Sequence, residues 1–479
     1  MNLPGLLFLI VAQFLAGRGI LAMFKVKLRP LISFAVSSII SIVVFSLLPM
    51  LIEMFHMPIT KSNVILFICA ATLLLNIFVV RRYDFGVFRQ LKIKFLPIYE
   101  LLFIVLFIAL AVPSLWRCYY YPPNARDVMS GPEALAEYAV KEHTINNSVW
   151  SVNLLESTPN LLKPPFITDL QIIYKLLVHP FGQIWLSIMY ICFSVWLYSI
   201  VREKLHPFLT GIVMLFFLTI PEVYGYTYII LWDYSNMILF FLGFYYMYQY
   251  IVTKEYNLFL FSCLMYGLAT FIRLDTLVFI ALSAPLLAYH MWKGKEPFLR
   301  IGYSVVLMGA IPFVFYYVWV NIFVKNYLPI GIDVEQQLNP QPVSIYFDWL
   351  SGMNSQLLFG GDNIALYGYF IYIFLLILVI DIIFFRRFSK EAIFMLFGIA
   401  IIYFGMPLLS YLTTWFNITT AKRGFFKMFP MMILYMRSSA LFTKLSQLIT
   451  SFEFPTIQEA IMTPKAQAVK HTNTVKKKK

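Results

Sequence analysis

From residue 3 to residue 442 the chain alternates long apolar runs with shorter polar intervals. About thirteen runs stand out, at roughly 3–24, 30–55, 62–80, 96–115, 181–201, 206–222, 226–250, 257–273, 275–292, 301–325, 363–385, 391–416 and 424–442. A helix needs roughly 20 mostly apolar residues to cross a bilayer, where only internal hydrogen bonds satisfy the backbone. The pattern predicts an all-α, polytopic membrane protein with about thirteen transmembrane helices. Two longer polar intervals break the rhythm, Trp116–Pro180 and Asn326–Asp362. They divide the chain into N-terminal spans (1–95), a core of spans with a large loop (96–325, loop 116–180), a second loop (326–362), C-terminal spans (363–442) and a basic tail (443–479).

Two helices are expected inside the first loop. Ser130-Gly131-Pro132-Glu133 is a helix start: Ser or Gly caps, Pro suits the first position and Glu complements the dipole. Leu135, Tyr138, Ala139 and Glu142 follow at helical spacing. A second start is Pro164-Pro165, followed by an apolar stripe of Ile167, Leu170, Ile173, Tyr174 and Leu177. Both read as amphipathic helices lying on the membrane surface, a lid over the spans.

Composition agrees with the pattern. Of 479 residues 61% are hydrophobic and 13% charged, and mean hydropathy is +0.77. A large soluble domain is excluded. The net charge of +14 is assigned to loops and a VKHTNTVKKKK tail facing anionic lipid, not to nucleic acid. Lys25, Lys27 and Arg29 fall on one side of the membrane, with Arg81, Arg82, Arg89, Lys92 and Lys94, then Arg202 and Lys204, then Lys293, Lys295 and Arg300, then Arg386, Arg387 and Lys390. The positive-inside rule makes that side cytoplasmic, so both long loops face outward and the C-terminus lies inside. No cleavable signal peptide is expected, since Arg18 and the Gly17–Gly19 pair interrupt the first run. Cys69, Cys118, Cys192 and Cys263 show neither a disulfide framework nor zinc spacing.

The chemistry-bearing candidates cluster at the outer face. Asp127, just before the first loop helix, can take a proton from a hydroxyl; the plainer alternatives are a pair with Arg126 or a turn cap. Glu133 is a second carboxylate, equally readable as a first-turn dipole partner. Lys163, beside the stiff Pro-Pro helix start, suits a phosphate, or else snorkels and anchors the helix. Asp233, Arg273 and Asp275 fall at outer span ends, where ionisable groups are costly and often functional. Arg273 either holds a lipid phosphate or pairs with Asp275. Lys422 and Arg423 lie outside, against the charge trend, and suit an anionic ligand or headgroups. Asp381, near Arg386, reads as structural. Tyr119–Tyr121 and Trp232 are interfacial aromatics that could stack on a sugar. His143 and His179 share the loop far apart; no metal site is assigned, and a divalent metal stays open.

One order of features now stands out: a span leading outward, an acidic residue, an EALAEYA helix, then LLKPPF, a second helix and the next span. It resembles the polyprenyl-phosphate-sugar-dependent glycosyltransferases of the GT-C superfamily, nearest the protein O-mannosyltransferase and lipid A aminoarabinose transferase types. The likeness covers about residues 96–290, with WDYSNMILFF and GLATFIRLDTLVF as further echoes. Such enzymes carry a catalytic carboxylate in the first outer loop, often an adjacent Asp-Glu pair, and many a Lys-Pro motif beyond it. Here Asp127 and Glu133 are six residues apart, so either can be that base, and Asp127 is preferred because it precedes the helix. Three extra spans come before the loop, where the family has one.

The resemblance implies an inverting transferase of a multi-pass membrane of the bacterial inner-membrane kind. It takes a sugar from a lipid-linked donor to a glycan, lipid or protein acceptor outside, without a cofactor. Asp127 or Glu133 would be catalytic; Lys163, Asp233, Arg273 and Arg423 would bind substrate or the lipid phosphate. The competing readings are a polysaccharide polymerase and a lipid-linked saccharide flippase. The absence of arginine from the second loop weighs against the first, and the lack of a repeat against the second.

Overall fold

A computed structural model describes residues 2–77, 98–151, 163–329, 340–361, 363–412 and 418–453. Residues 152–162 of the first loop, 330–339 of the second, 454–479 of the tail and the basic residues from Arg81 to Lys94 lie outside the described residues. Helices in chain order are α1 (Leu3–Met23), α2 (Pro30–Phe45), α3 (Leu48–Met54), α4 (Lys61–Ile77) and α5 (Ile98–Tyr120). The first loop contributes α6 (Arg126–Met129), α7 (Pro132–Glu142) and α8 (Phe166–Leu177). The core continues with α9 (Ile184–Arg202), α10 (Pro207–Leu218), α11 (Pro221–Gly225), α12 (Trp232–Thr253), α13 (Tyr256–Ile272), α14 (Thr276–Lys293) and α15 (Phe298–Tyr317). The last part holds α16 (Val343–Gly352), α17 (Asn363–Tyr367), α18 (Phe370–Ile380), α19 (Lys390–Leu412), α20 (Ile418–Gly424), α21 (Phe429–Ser438) and α22 (Ala440–Glu453).

The described residues contain no strand. Helix occurs in each of the thirteen apolar intervals, but among the described residues seven helical segments are both long and apolar enough to cross a membrane: Leu3–Met23, Pro30–Met54, Ile98–Tyr120, Ile184–Arg202, Thr276–Lys293, Phe298–Tyr327 and Lys390–Leu412. The protein is thus an all-helical, membrane-embedded one. Four other apolar helices, including α10 and α13, fall short in length, with 12 and 17 residues. Helix α13 ends at the Arg273–Asp275 turn, whose charged side chains pair with each other. The packing centre is α12, which is buried along nearly all of its length and runs beside α13. Helix α5 stands at the rim, with Leu101, Leu102, Val105 and Ile108 turned outward.

The first loop is where the expectation needs correcting. Helix α8 is not a surface helix with one apolar stripe. Every residue but Lys175 and Leu176 is buried, Asp169 and Gln171 included. The cover comes from distant parts of the chain. Helices α3 and α7 pack on it, and Gln13 of α1 donates through Nε2 to the Tyr174 hydroxyl at 2.9 Å. The Asn2 amide donates to the Val178 carbonyl at 2.9 Å. Glu53, at the end of α3, accepts from Thr144 Oγ1 at 2.6 Å and from the Ile145 amide at 2.8 Å. The N-terminal helices therefore clasp the loop and hold it as a fixed wall.

This wall sets a test of sidedness. Asn147 is buried against Leu135, whereas neighbouring Asn146 is exposed. A cysteine replacing Asn146 should react with an impermeant maleimide from the side opposite Lys25, Lys27 and Arg29. Labelling only after the membrane is opened in intact cells would reverse the orientation read from charge.

Candidate functional site

Five of the six candidate residues converge, from five separate parts of the chain. Asp233 opens α12 as its second residue and is 1% exposed. An isolated carboxylate there would be very costly, so it must be paired. It accepts a charge-assisted hydrogen bond from Arg273 Nη1, and Arg423 Nη1 lies 3.7 Å from its other oxygen. The first-turn position adds the helix dipole. Arg273 caps the end of α13, and its Nη2 reaches Asp275 Oδ2 at 2.8 Å, at the start of α14. The Arg273–Asp275 pair thus exists, but as one arm of a larger network.

The turn carrying Arg273 is held from α12 itself. Asn236, three residues beyond Asp233, donates through Nδ2 to the Ala269 carbonyl at 2.7 Å and to Thr276 Oγ1 at 2.8 Å. One turn of α12 therefore presents both the carboxylate and the clamp that aims its guanidinium partner.

Arg423, near the end of α20, carries the network outward. Its Nη1 lies 3.4 Å from Asp127 Oδ2. Asp127 sits in the single turn of α6 with 41% of its side chain exposed, so it marks the open edge of the site. Its partner is Arg423, not the adjacent Arg126. Lys163, just ahead of α8, places its ammonium 4.0 Å from the centre of the Trp232 ring. Burial and the nearby Arg273 hold the Lys163 ammonium down at about 8, against the pull of Asp233. Lys422, whose side chain reaches Glu222 Oε1 at 2.9 Å, is taken up by a separate pair.

Glu133 is not part of this cluster. Lys175 Nζ is 2.6 Å from one of its oxygens and Gln171 Nε2 donates to the other at 2.7 Å. It locks α7 onto α8. Asp381 is structural but not through its side chain to Arg386: it accepts from the Tyr435 hydroxyl at 2.9 Å and from the Leu441 amide at 3.0 Å. His179 meets the Tyr119 ring at a tilt, centres 4.6 Å apart, and His143 meets the Ile59 carbonyl, so the two loop histidines serve different contacts.

The structure adds two groups to the site. Lys427, in the 3-10 turn Phe425–Met428, is 1% exposed and lies 5.2 Å from the centre of the Phe279 ring, within electrostatic reach of Asp275, Arg273 and Asp233. A lysine inside the run FFKMFPMMILYM was the available signal. Tyr226 is the other, held edge-on against Phe426 at 5.1 Å. Four cations (Lys163, Arg273, Arg423, Lys427) now face three carboxylates (Asp127, Asp233, Asp275). Among the described residues Arg423 Nε and Trp232 Nε1 are buried donors without an acceptor, and Asp233 Oδ2 and Asp275 Oδ1 are buried acceptors without a hydrogen-bond donor. A surplus of cations and orphan donors is the equipment for an anion rich in oxygen. No group of three His, Cys, Asp or Glu able to hold a metal ion occurs among the described residues.

No family model, curated protein or solved structure matches this chain.

Asp233, the buried carboxylate, is the structural anchor of the cluster, and Asp127 stands at its open edge. Asp233→Asn leaves Arg273 and Arg423 without their shared counter-charge and should cost about 3–5 kcal/mol. Thermal unfolding of the purified protein in detergent checks this. A melting point equal to that of the unaltered chain would show that Asp233 does not anchor the network.

Proposed function

We propose that the cluster is the reaction site of a membrane glycosyltransferase, moving a sugar from a polyprenyl-phosphate carrier to a hydroxyl of an acceptor on the outer face. One observation carries this reading: a half-exposed carboxylate, Asp127, meets buried cations drawn from the first loop, the core and the C-terminal part. That is the division of labour the reaction needs. The acceptor hydroxyl gives its proton to Asp127 as its oxygen attacks the anomeric carbon. The bond from that carbon to the phosphate oxygen breaks, and the carrier phosphate leaves with the electron pair. Negative charge grows on the phosphate, where preorganised cations stabilise it most. With one carboxylate as base and direct displacement, the anomeric configuration inverts.

Arg423 gives the site an internal order. It spans Asp127 at 3.4 Å and Asp233 at 3.7 Å. A phosphate that takes hold of Arg423 draws it from Asp127 and frees the carboxylate to act as base. Trp232, buried beneath the Lys163 ammonium, backs the site and helps to fix that cation in place. The outward orientation rests on the basic loops, and the acceptor class on the exposure of Asp127.

Asp127→Asn should lower turnover about 10²–10⁴-fold, the usual worth of a positioned base, without unfolding the protein. Purified variant and unaltered protein are compared with a lipid-phosphate sugar donor; near-normal turnover would remove Asp127 from the role.

Lys163 can bind phosphate only while protonated, and its ammonium titrates at about 8. Below that pH the free site holds the charge; as pH rises through it the charge is lost. kcat/KM for the donor should therefore fall with rising pH above about 8, and Lys163→Arg should abolish that fall. Lys163→Ala should weaken donor use about tenfold to a hundredfold, a lost contact to a charged group being worth roughly 1.5–3 kcal/mol. Unchanged donor dependence in Lys163→Ala would leave the Lys-Pro-Pro element as an anchor only.

A further inference from the structure

A second feature lies in the other half of the bundle. Helices α5, α9 and α10, with Leu31 of α2, line an open-sided cavity of about 330 Å³. That is within the range of small-ligand pockets, roughly 300–1,000 Å³. Its body is apolar, lined by Phe103, Phe107, Val195, Met214 and Leu218 among others. One end is polar. Glu100 and Tyr198 line it, and Arg202 Nε donates to Glu100 Oε1 at 2.9 Å while its side chain stays 40% exposed.

The cavity sits at the lipid boundary. On its outer side is α5, whose Leu101, Leu102, Val105 and Ile108 are exposed as a hydrocarbon-facing surface. It is also remote from the charged cluster. Ser187 of α9 is tied to Ser114 and to the Thr227 carbonyl, next to Tyr226. Val195 and Ser199 lie eight and twelve residues further along α9, about 12–18 Å at 1.5 Å per residue. Between the two regions the Phe107 and Tyr190 rings meet, centres 6.0 Å apart.

An apolar space between membrane helices, with the Glu100–Arg202 ion pair at one mouth, fits a long-chain amphiphile whose headgroup carries charge of both signs. We infer that this cavity holds one acyl chain of a membrane glycerophospholipid, with its phosphate turned to Arg202. The carrier chain of the proposed donor is the other source of hydrocarbon, but its phosphate would lie at the opposite end of α9. The inference does not depend on the transferase reading, because the cavity shares no residue with the charged cluster.

The full chain is reconstituted in nanodiscs containing a phosphatidylcholine with a diazirine at mid-chain, irradiated, and its adducts mapped by mass spectrometry. Adducts should fall on Phe103, Phe107, Val195 or Met214. They should disappear in Val195→Trp and in Leu215→Trp, which fill the space, while adducts on Leu101 and Val105 persist. A parallel arm uses a diazirine-bearing polyprenyl phosphate. Adducts confined to the outward face of α5, or cavity adducts from the prenyl probe alone, would overturn the inference. If either variant fails to fold, the adduct map of the unaltered protein decides by itself. Turnover with the proposed donor is measured in the same discs; its loss or retention bears on the transferase reading and not on the cavity.

Discussion

Asp233 is the carboxylate on which the described site depends. It is buried at the start of the most buried long helix, in a protein with few charges to spare. Being ionised there requires cations at hand, and the fold supplies two, Arg273 from the turn after α13 and Arg423 from α20. Each cation is then committed to a place. Arg273 fixes the turn that opens α14; Arg423 brings the C-terminal part of the chain against Asp127. Remove the carboxylate and the two guanidinium groups repel one another. The charge pattern is thus the reason that segments far apart in sequence meet at one point.

Around that point the protein separates rigidity from exposure. The wall behind the cluster is α8, fully packed and pinned by α1 and α3. The aiming of Arg273 comes from Asn236, which spends its amide protons on α13 and α14. The outer edge is the short turn of α6, which carries Asp127 on one turn of helix and leaves it half in solvent. Buried ion pairs fix position, and the group with the freedom to exchange protons sits at the rim.

How much of this could be read from the sequence depends on the distance over which each signal acts. Asp233, Arg273 and Arg423 stood out because a charge at the end of an apolar run has to be explained locally. Lys163 stood out through its two prolines. Glu133 misled because sequence nearness to Asp127 says nothing about direction: six residues on, the chain has turned into α7 and aims that carboxylate at Lys175. Lys427 was hidden by its neighbours, a single cation within an aromatic and methionine-rich run. The burial of α8 was illegible for another reason. Its periodicity is that of a half-buried helix, with strong amphipathic spacing, and its cover comes partly from α7 and partly from α1 and α3, more than a hundred positions earlier. The count of spans is a separate matter: apolar runs marked where helices form, but length and apolarity single out seven of the described helices, and α10 and α13 stop at 12 and 17 residues.

The bridging place of Arg423 has a consequence for how the chain is made. Asp233 and Arg273 are synthesised within forty residues of each other and can pair as soon as their helices are inserted. Arg423 emerges roughly 150 residues later, about 8–30 s at ordinary rates of elongation. For that interval the carboxylate has one guanidinium in place of two, and Asp127 has no partner across the site. The assembled network is therefore a late event in biogenesis, and a chain truncated before α20 would carry five of the seven charged groups of the cluster without the residue that connects them.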